Sequence, residues 1–258
     1  NLSNIQSIGY GAFRRCPSLT EIDLFSVTSI GVSAFSNCTS LTEINIPLLQ
    51  DISEGTFESC SSLTQIDLSS VTNIGAYAFL HCTSLTQLDL FSVTSIGARA
   101  FQDCTSVTKI NIPLLQDISE GTFESCSSLT QIDLSSVTNI GAYAFLHCTS
   151  LTQLDLFSVT SIGARAFQDC TSVTKINIPL LQDISEGTFE NCSSLTQIDL
   201  SSVTSIGVSA FSNCTSLTQI DLTSVDFIGI RAFEDCYGIT EISLNLIEII
   251  NSYAFNNC

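Results

Sequence analysis

Twelve cysteines are the residues of this 258-residue chain best suited to chemistry, since a thiolate can act as a nucleophile, a metal ligand or half of a disulfide. They recur every twenty-two positions, at Cys16, Cys38, Cys60, Cys82, Cys104, Cys126, Cys148, Cys170, Cys192, Cys214, Cys236 and Cys258. This spacing places each cysteine above the preceding one on one face of a coiled chain, where parallel side-chain directions work against a disulfide. We therefore expect buried free thiols, with bridging as the alternative.

Catalysis finds no support in the remaining reactive residues. The two histidines, His81 and His147, each precede a cysteine, but adjacent residues in a coil point to different sides and no third orienting group recurs. There is no glycine-rich phosphate loop and no Cys/His cluster at zinc spacing. The sequence therefore predicts that the chain is not an enzyme and needs no cofactor.

Carboxylates form a second regular pattern. With each cysteine counted as coil position 1, position 8 is acidic at Asp23, Asp67, Asp89, Asp133, Asp155, Asp199 and Asp221. The pairs Asp67/Asp89 and Asp133/Asp155 could hold Ca²⁺ weakly, but this ion prefers six to eight oxygen ligands and a flat strand face offers few. A solvated acidic face is the main interpretation, and no metal site is predicted.

An aromatic side chain recurs at position 10 of every third coil for part of the chain, at Phe25, Phe91 and Phe157. Positions 6, 8 and 10 should line the open face of a strand, so these rings are candidate anchors for a partner. Packing against an adjacent proline or against position 12 is the alternative. The predicted partner-binding residues are these three phenylalanines with Asp67, Asp89, Asp133 and Asp155.

The period set by the cysteines determines the elements that carry these side chains. The motif L-x-x-L-x-L, as in Leu85–Leu90, recurring with a period of about 20 to 29 residues is the signature of a leucine-rich-repeat solenoid with one short parallel strand per coil. Apolar residues recur at positions 1, 4, 7, 9, 12, 15, 19 and 20, which should therefore point inward. A lone coil buries too little to fold, so stability must come from stacking on its neighbours.

The second half of each coil contains three further signals. The extended, β-branched Val-Thr-Ser-Ile segment predicts a second short strand. Glycine at position 16, as in Gly75 and Gly97, predicts a corner with positive φ. The following Ala-Tyr-Ala-Phe-Leu-His predicts one helical turn on the convex side. The predicted fold is a leucine-rich-repeat solenoid, α/β-type and mostly β, of about 11–12 coils.

The run Cys-x-Ser-Leu-Thr-x-Ile-x-Leu/Ile-Pro…Ile-Gly-x-x-Ala-Phe-x-x-Cys, seen from Ser40 to Cys60, resembles the BspA-like leucine-rich repeats of the Treponema type along the whole chain. Only Pro47, Pro113 and Pro179 keep the proline that follows the strand. The resemblance implies a secreted or cell-surface protein that adheres to host matrix proteins or to other cells. It implies a scaffold and a habitat but transfers no particular ligand.

Charge and hydropathy limit the partners. A net charge of −18, with two lysines and five arginines, excludes nucleic acid as an expected partner and favours a basic partner or a divalent cation. No apolar run is long enough to predict a membrane-spanning helix, which needs about 20 residues. The chain lacks methionine, begins in mid-coil and ends on the first residue of a coil. We therefore expect residues 1–258 to be one solenoid that is a piece of a longer protein.

A longer period overlies the short one, because Ile44–Lys109 and Ile110–Lys175, each three coils long, are identical in sequence. Recent duplication is one interpretation, and selection for a surface that repeats every three coils is the other. Two functions follow from the sequence. The first is a secreted or cell-surface scaffold for adhesion and protein binding, and the second is self-assembly into filaments by stacking or lateral mating of solenoids.

Overall fold

The computed structural model describes residues 4–245 and 247–258 and confirms the leucine-rich-repeat solenoid. It consists of two compact units, Asn1–Leu115 with Ser119–Asp133 and Gln116–Ile118 with Leu134–Cys258. The secondary structure of the described residues is β-strands and turns, without an α-helix. Whether residues 1–258 act as one domain stays a prediction.

With one exception among the described coils, each coil carries a first strand near positions 6–8 and a second strand at positions 14–15. In chain order the strands are β1 (Ser7–Ile8), β2 (Glu21–Asp23), β3 (Ser29–Ile30), β4 (Glu43–Asn45), β5 (Asp51–Ile52), β6 (Asn73–Ile74), β7 (Gln87–Asp89), β8 (Ser95–Ile96), β9 (Lys109–Asn111), β10 (Asp117–Ile118), β11 (Gln131–Ile132), β12 (Asn139–Ile140), β13 (Gln153–Asp155), β14 (Ser161–Ile162), β15 (Lys175–Asn177), β16 (Asp183–Ile184), β17 (Gln197–Ile198), β18 (Ser205–Ile206), β19 (Gln219–Leu222), β20 (Phe227–Ile228), β21 (Glu241–Leu244) and β22 (Ile249–Ile250). Residues 65–67, which occupy a first-strand position, form no strand.

All ladders are parallel, and paired residues lie one coil apart, as Gln87 with Lys109 in β7 and β9. In the first unit the first strands form the ladders β2–β4 and β7–β9–β11, and the second strands form β1–β3 and β5–β6–β8. In the second unit the corresponding ladders are β13–β15–β17 and β19–β21, then β10–β12–β14 and β16–β18–β20–β22. The ladders are therefore short blocks, and each unit contains places where one block ends and the next begins.

The core confirms most of the predicted inward positions, although position 7 is only half-buried in several coils, as at Ile22 and Ile132. In the coil from residue 82 to 103 these are Cys82, Leu85, Leu88, Leu90, Val93, Ile96, Ala100 and Phe101, all at most 2% exposed. Because each coil is a thin layer, this burial becomes complete only where another coil covers it.

Stacked phenylalanines run through the core of each unit. Successive rings from Phe13 to Phe123 in the first unit have centroids 5.0–5.8 Å apart and planes within 23° of parallel. The rings from Phe145 to Phe255 in the second unit repeat the arrangement. Such offset stacking adds to the free energy gained by burying the rings.

The cysteines form a column of free thiols, ten of them buried. Buried thiols donate to the carbonyl oxygen of a phenylalanine in the core, as from Cys82 to Phe57 at 3.1 Å. Burial raises the pKa of buried thiols such as Cys82, and it raises the pKa of Cys60 to about 12. The expected free thiols are therefore present, and they fill small apolar sites while they partner core carbonyls.

Two expectations for the corner of the coil are wrong. Glycine at position 16 does not have positive φ, and positive φ occurs at positions 18 and 22, as at Tyr77 (57°) and His81 (59°). The predicted helical turn is instead a series of tight turns, because these left-handed residues interrupt a helix. Their N–H groups donate to the next coil, as from Tyr77 to the Ala98 carbonyl at 3.0 Å. Main-chain hydrogen bonds between coils therefore outweigh the local preference of these residues for a helical turn.

Candidate partner-binding face

The first-strand ladder opens once in each unit, among residues the structure describes throughout. In the first unit no ladder joins residues 65–67 to β4 or to β7, and in the second unit none joins β17 to β19. Ile66 and Ile198, at the inward position 7 beside these openings, are only half-buried, whereas Ile44 and Ile176 are buried. Each opening therefore exposes part of the core wall on the strand-bearing face.

A groove lies along each opening. The groove in the first unit, here called the β7 groove, has a volume of about 590 Å³ and includes Gln65, Asp67, Gln87, Asp89 and Phe91 among its lining residues. It therefore brings together three of the predicted site residues, Asp67, Asp89 and Phe91. The structure places Asp133 directly after β11 in the first unit and Asp155 in β13 of the second unit.

The groove in the second unit, here called the β19 groove, has a volume of about 380 Å³. Gln197, Asp199, Gln219 and Asp221 occupy in it the coil positions that the four polar residues hold in the β7 groove. No aromatic residue lines it, and Thr223 holds the coil position of Phe91. The two grooves thus share these four polar positions but differ at the rim and in the charged side chains of Lys175 and Glu241, which line only the β19 groove.

Hydrogen bonds from nearby residues hold the carboxylates of the acidic column in place. Asp67 accepts the main-chain N–H of Ser69 at 2.9 Å, and this bond lowers the pKa of the Asp67 carboxyl. Asp199 has the same bond from Ser201 and the same direction of pKa shift. A carboxylate that accepts main-chain N–H groups is stabilised in its charged form. The two groove aspartates are therefore fixed as acceptors at neutral pH.

The asparagines that interrupt the acidic column are hydrogen-bond donors to it. The Asn111 amide donates to Asp89, which also accepts Gln87 Nε2 at 3.1 Å. The Asn177 amide donates in the same way to Asp155, which accepts Gln153 Nε2 at 2.6 Å. Each asparagine thus replaces a repelling carboxylate with a bonding amide. Among the described residues no group of three or more His, Cys, Asp or Glu side chains is arranged to hold a metal ion.

The three predicted anchor phenylalanines are about half exposed: Phe25 47%, Phe91 58% and Phe157 57%. The structure adds Leu48, Leu114 and Leu180, each 52% exposed at position 11 of the following coil. We call these residues the Phe–Leu edge of their unit: Phe25, Leu48, Phe91 and Leu114 in the first unit, and Phe157 and Leu180 in the second. The leucines were not predicted from the sequence. They stand out there, because position 11 is serine in most other coils.

A histidine–aspartate contact lies away from this face and is not part of a catalytic triad. His81 Nδ1 is 3.3 Å from Asp103 Oδ2, and His147 and Asp169 repeat the contact. The neighbouring thiol of Cys82 is buried and donates to a core carbonyl, and burial raises its pKa well above the ordinary range. A thiol in that state is inert as a nucleophile.

No helix of the described chain is both long enough and apolar enough to cross a bilayer.

Arg99 and Arg165, at position 18, pair with Glu120 and Glu186 at 2.9 and 2.7 Å. These exposed ion pairs contribute little stability. These two arginines are thus paired with glutamates of the next coil.

Comparison with solved structures supports the fold along nearly the whole chain. A leucine-rich repeat protein from Bacteroides ovatus is 30% identical, with a TM-score of 0.64 over 98% of this chain and 80% of that one. The T. pallidum leucine-rich repeat protein is 28% identical, with a TM-score of 0.53 over 66% of this chain and 72% of that one. A leucine rich cell surface protein from Faecalibacterium prausnitzii, 24% identical, shares the fold with a TM-score of 0.52, over 93% of this chain and 83% of that one.

Comparison with curated proteins gives no match. The model of the BspA type leucine rich repeat region matches six copies, within residues 6–130, 72–179 and 138–258. Together these segments include almost every coil. No catalytic family is indicated by these comparisons. The chain therefore belongs to the BspA type leucine-rich-repeat family.

Proposed function

We propose that this chain is a secreted or cell-surface scaffold that adheres to a protein partner, on a host matrix or on another cell, through its strand-bearing face. Leucine-rich-repeat proteins commonly bind proteins, and solenoids present extended surfaces for this purpose. The family membership supports the surface location.

The Phe–Leu edge is the observation that carries the proposal. Monomeric proteins tolerate isolated exposed apolar residues, but here a ring and a leucine recur together every three coils, at Phe25/Leu48, Phe91/Leu114 and Phe157/Leu180. Aromatic side chains are the commonest anchors of protein interfaces. A partner that contacts several of these pairs gains affinity by multivalency.

Charge supports a basic partner surface. The chain carries a net charge of −18, and Asp67 and Asp89 lie exposed beside Phe91 in the β7 groove. Complementary charge raises the association rate and disfavours acidic partners. We therefore expect partner binding to weaken as salt screens the face.

The experiment measures binding of the purified chain to immobilised collagen, laminin and fibronectin and to whole cells. The variant F25S/F91S/F157S removes the rings, and Y77S/Y143S is a matched control because Tyr77 and Tyr143 are aromatic residues at position 18, outside the strand-bearing face. The proposal expects at least a tenfold loss of binding in the first variant and little change in the control. Equal binding by both variants contradicts it.

Self-assembly into filaments is a second proposal, supported by the identity of Ile44–Lys109 with Ile110–Lys175. Two copies that mate through the Phe–Leu edge would meet the same surface at each repeat. Electron microscopy with light scattering at several concentrations tests it. Ordered filaments that disappear in F25S/F91S/F157S support assembly, and a monomer at every concentration contradicts it.

A further inference from the structure

The β7 groove has the chemistry of a small-molecule site in addition to its place on the binding face. Its volume of about 590 Å³ lies within the range of ligand pockets. Its polar walls are two matched rows, Gln65 with Asp67 and Gln87 with Asp89, one from each side of the opening. Neither lysine nor arginine lines it.

The groove offers both hydrogen-bond acceptors and donors. A carboxylate has about four acceptor sites, and the structure uses two on Asp67, for the N–H and the hydroxyl of Ser69, and two on Asp89, for Asn111 and Gln87. Each carboxamide supplies N–H groups and a carbonyl oxygen. The two aspartates keep free acceptor sites while their positions are fixed, so a ligand meets a preorganised surface.

Phe91 supplies an apolar surface at the rim, with 58% of its surface exposed. We propose that the β7 groove binds a neutral saccharide, whose hydroxyls donate to Asp67 and Asp89 and accept from the glutamine amides while one C–H face of the ring lies on Phe91. An anionic sugar is repelled by the two carboxylates. A cationic side chain has donors alone and leaves the amide N–H groups without an acceptor, whereas a hydroxyl both donates and accepts.

The β19 groove is an internal comparison that differs from the β7 groove in its aromatic ring and also in Lys175 and Glu241, which line it. It has the four polar positions but Thr223 in place of the phenylalanine. If the ring is required, this groove binds saccharide poorly until an aromatic residue is introduced. Thr223 is partly exposed, and its N–H is held by Asp221 at 3.0 Å, so the substitution Thr223→Phe keeps the main-chain contact.

The experiment measures binding of cellobiose, maltose and N,N′-diacetylchitobiose by saturation-transfer NMR and calorimetry. A sulfated heparin disaccharide and a hexa-arginine peptide are the anionic and cationic comparisons. Because the same residue types recur three coils later in the sequence, the variant is F91S/F157S, and F25S is its matched control. Phe25 is exposed, but the strand that precedes it, β2, lies in a closed ladder with β4. Circular dichroism checks that each variant is folded.

We expect at least one neutral disaccharide to bind, F91S/F157S to lose at least tenfold in affinity, and F25S to stay within twofold. Adding Thr223→Phe to F91S/F157S should restore part of the binding. The proposal is overturned if no neutral disaccharide binds, if F91S/F157S binds as well as the unchanged chain, or if hexa-arginine binds and the saccharides do not. Leu114→Ser, which alters the Phe–Leu edge but lies outside the groove lining, should weaken protein adhesion alone, so the two proposals fail separately.

Discussion

The hydroxyl of Ser53 donates a hydrogen bond to the main-chain carbonyl oxygen of Ile30, 2.6 Å away. In most coils the donor to this carbonyl position is the N–H of a glycine, as from Gly75 to Ile52 at 2.7 Å. A Cβ atom on Gly75 would lie 2.6 Å from the Glu54 nitrogen, so a side chain there forces the coils apart. The Ser53 hydroxyl reaches across the wider gap between the two coils. The second strands on either side of this gap, β3 and β5, form no ladder.

The bond from Ser53 gives a first prediction. Ser53→Ala should lower the free energy of unfolding by about 1 kcal/mol, because the Ile30 carbonyl loses its donor while the methyl group still prevents closure. Ser53→Gly should cost less, since the main-chain N–H can then approach. Urea unfolding monitored by circular dichroism compares them. Equal losses in the two variants contradict this account.

Close approach of neighbouring coils gives a second prediction. A Cβ on Gly97 would lie 2.4 Å from the Ala76 nitrogen, whereas Gly9 has no atom within 4 Å of such a carbon. Gly97→Ala should therefore destabilise the chain by about 1–3 kcal/mol through overpacking. Gly9→Ala is the matched control and should have little effect. If Gly97→Ala and Gly9→Ala have similar thermal unfolding midpoints, neighbouring coils can move apart at little cost and the prediction is wrong.

The stacked phenylalanines give a third prediction. Phe101 is fully buried between Phe79 and Phe123, with centroids 5.1 and 5.8 Å away, whereas Phe91 is largely exposed. Phe101→Ala should cost about 3–5 kcal/mol of stability. Phe91→Ala, the same chemical change at the surface, should cost less than about 0.5 kcal/mol. Chemical denaturation measures the free energy of unfolding of both variants. Comparable losses of stability would show that the stacked phenylalanines are not the centre of the core.

Thiol accessibility gives a fourth prediction. Cys258 is exposed and Cys16 partly exposed, whereas the other ten thiols are buried. Only the thiolate reacts, and burial raises the pKa of Cys60 to about 12, so this thiol stays protonated at pH 8. A thiol reagent at pH 8 should label at most two cysteines rapidly in the folded chain and all twelve in denaturant. Rapid labelling of more than two in the folded chain contradicts the buried column.

The hydrogen bond to Asp67 gives a fifth prediction. Because the Ser69 N–H lowers the pKa of Asp67 in the folded state, this carboxyl contributes stability above its unfolded pKa of about 3.9. That contribution is lost as the pH falls through the lowered folded value. Asp67→Asn still accepts the N–H but does not titrate. The free energy of unfolding, measured from pH 5 to pH 2, should fall less steeply in the variant, and equal slopes would exclude the coupling.

The solenoid was predictable because the repeat period fixes which side chains point inward, and Leu85, Leu88 and Leu90 are buried as expected. The left-handed residues were not predictable, since Tyr77, Arg99 and His81 carry no local signal for positive φ. Their conformation is set by main-chain bonds to the next coil, which local propensity does not include.

The candidate site was predictable in part. Asp67, Asp89 and Phe91 were identified from their column positions, and the β7 groove brings them together. The groove itself was not predicted, because it depends on where a ladder ends, and identical Gln-Ile-Asp-Leu segments both pair and separate in this chain. The exchange of glycine for serine at position 16 was visible in the sequence, but its meaning required the short distance between neighbouring main chains.

The order glycine, glycine, serine at position 16 makes the three-coil block a natural unit of recombination. A gene that gains or loses one whole block changes the length of the protein by three coils, and every remaining coil meets a neighbour of the type it already had. Such a change leaves the layer-by-layer packing intact while it adds or removes one ring-and-leucine pair. Under the proposed function, the number of partner contacts can therefore change by whole blocks while the core packing stays the same.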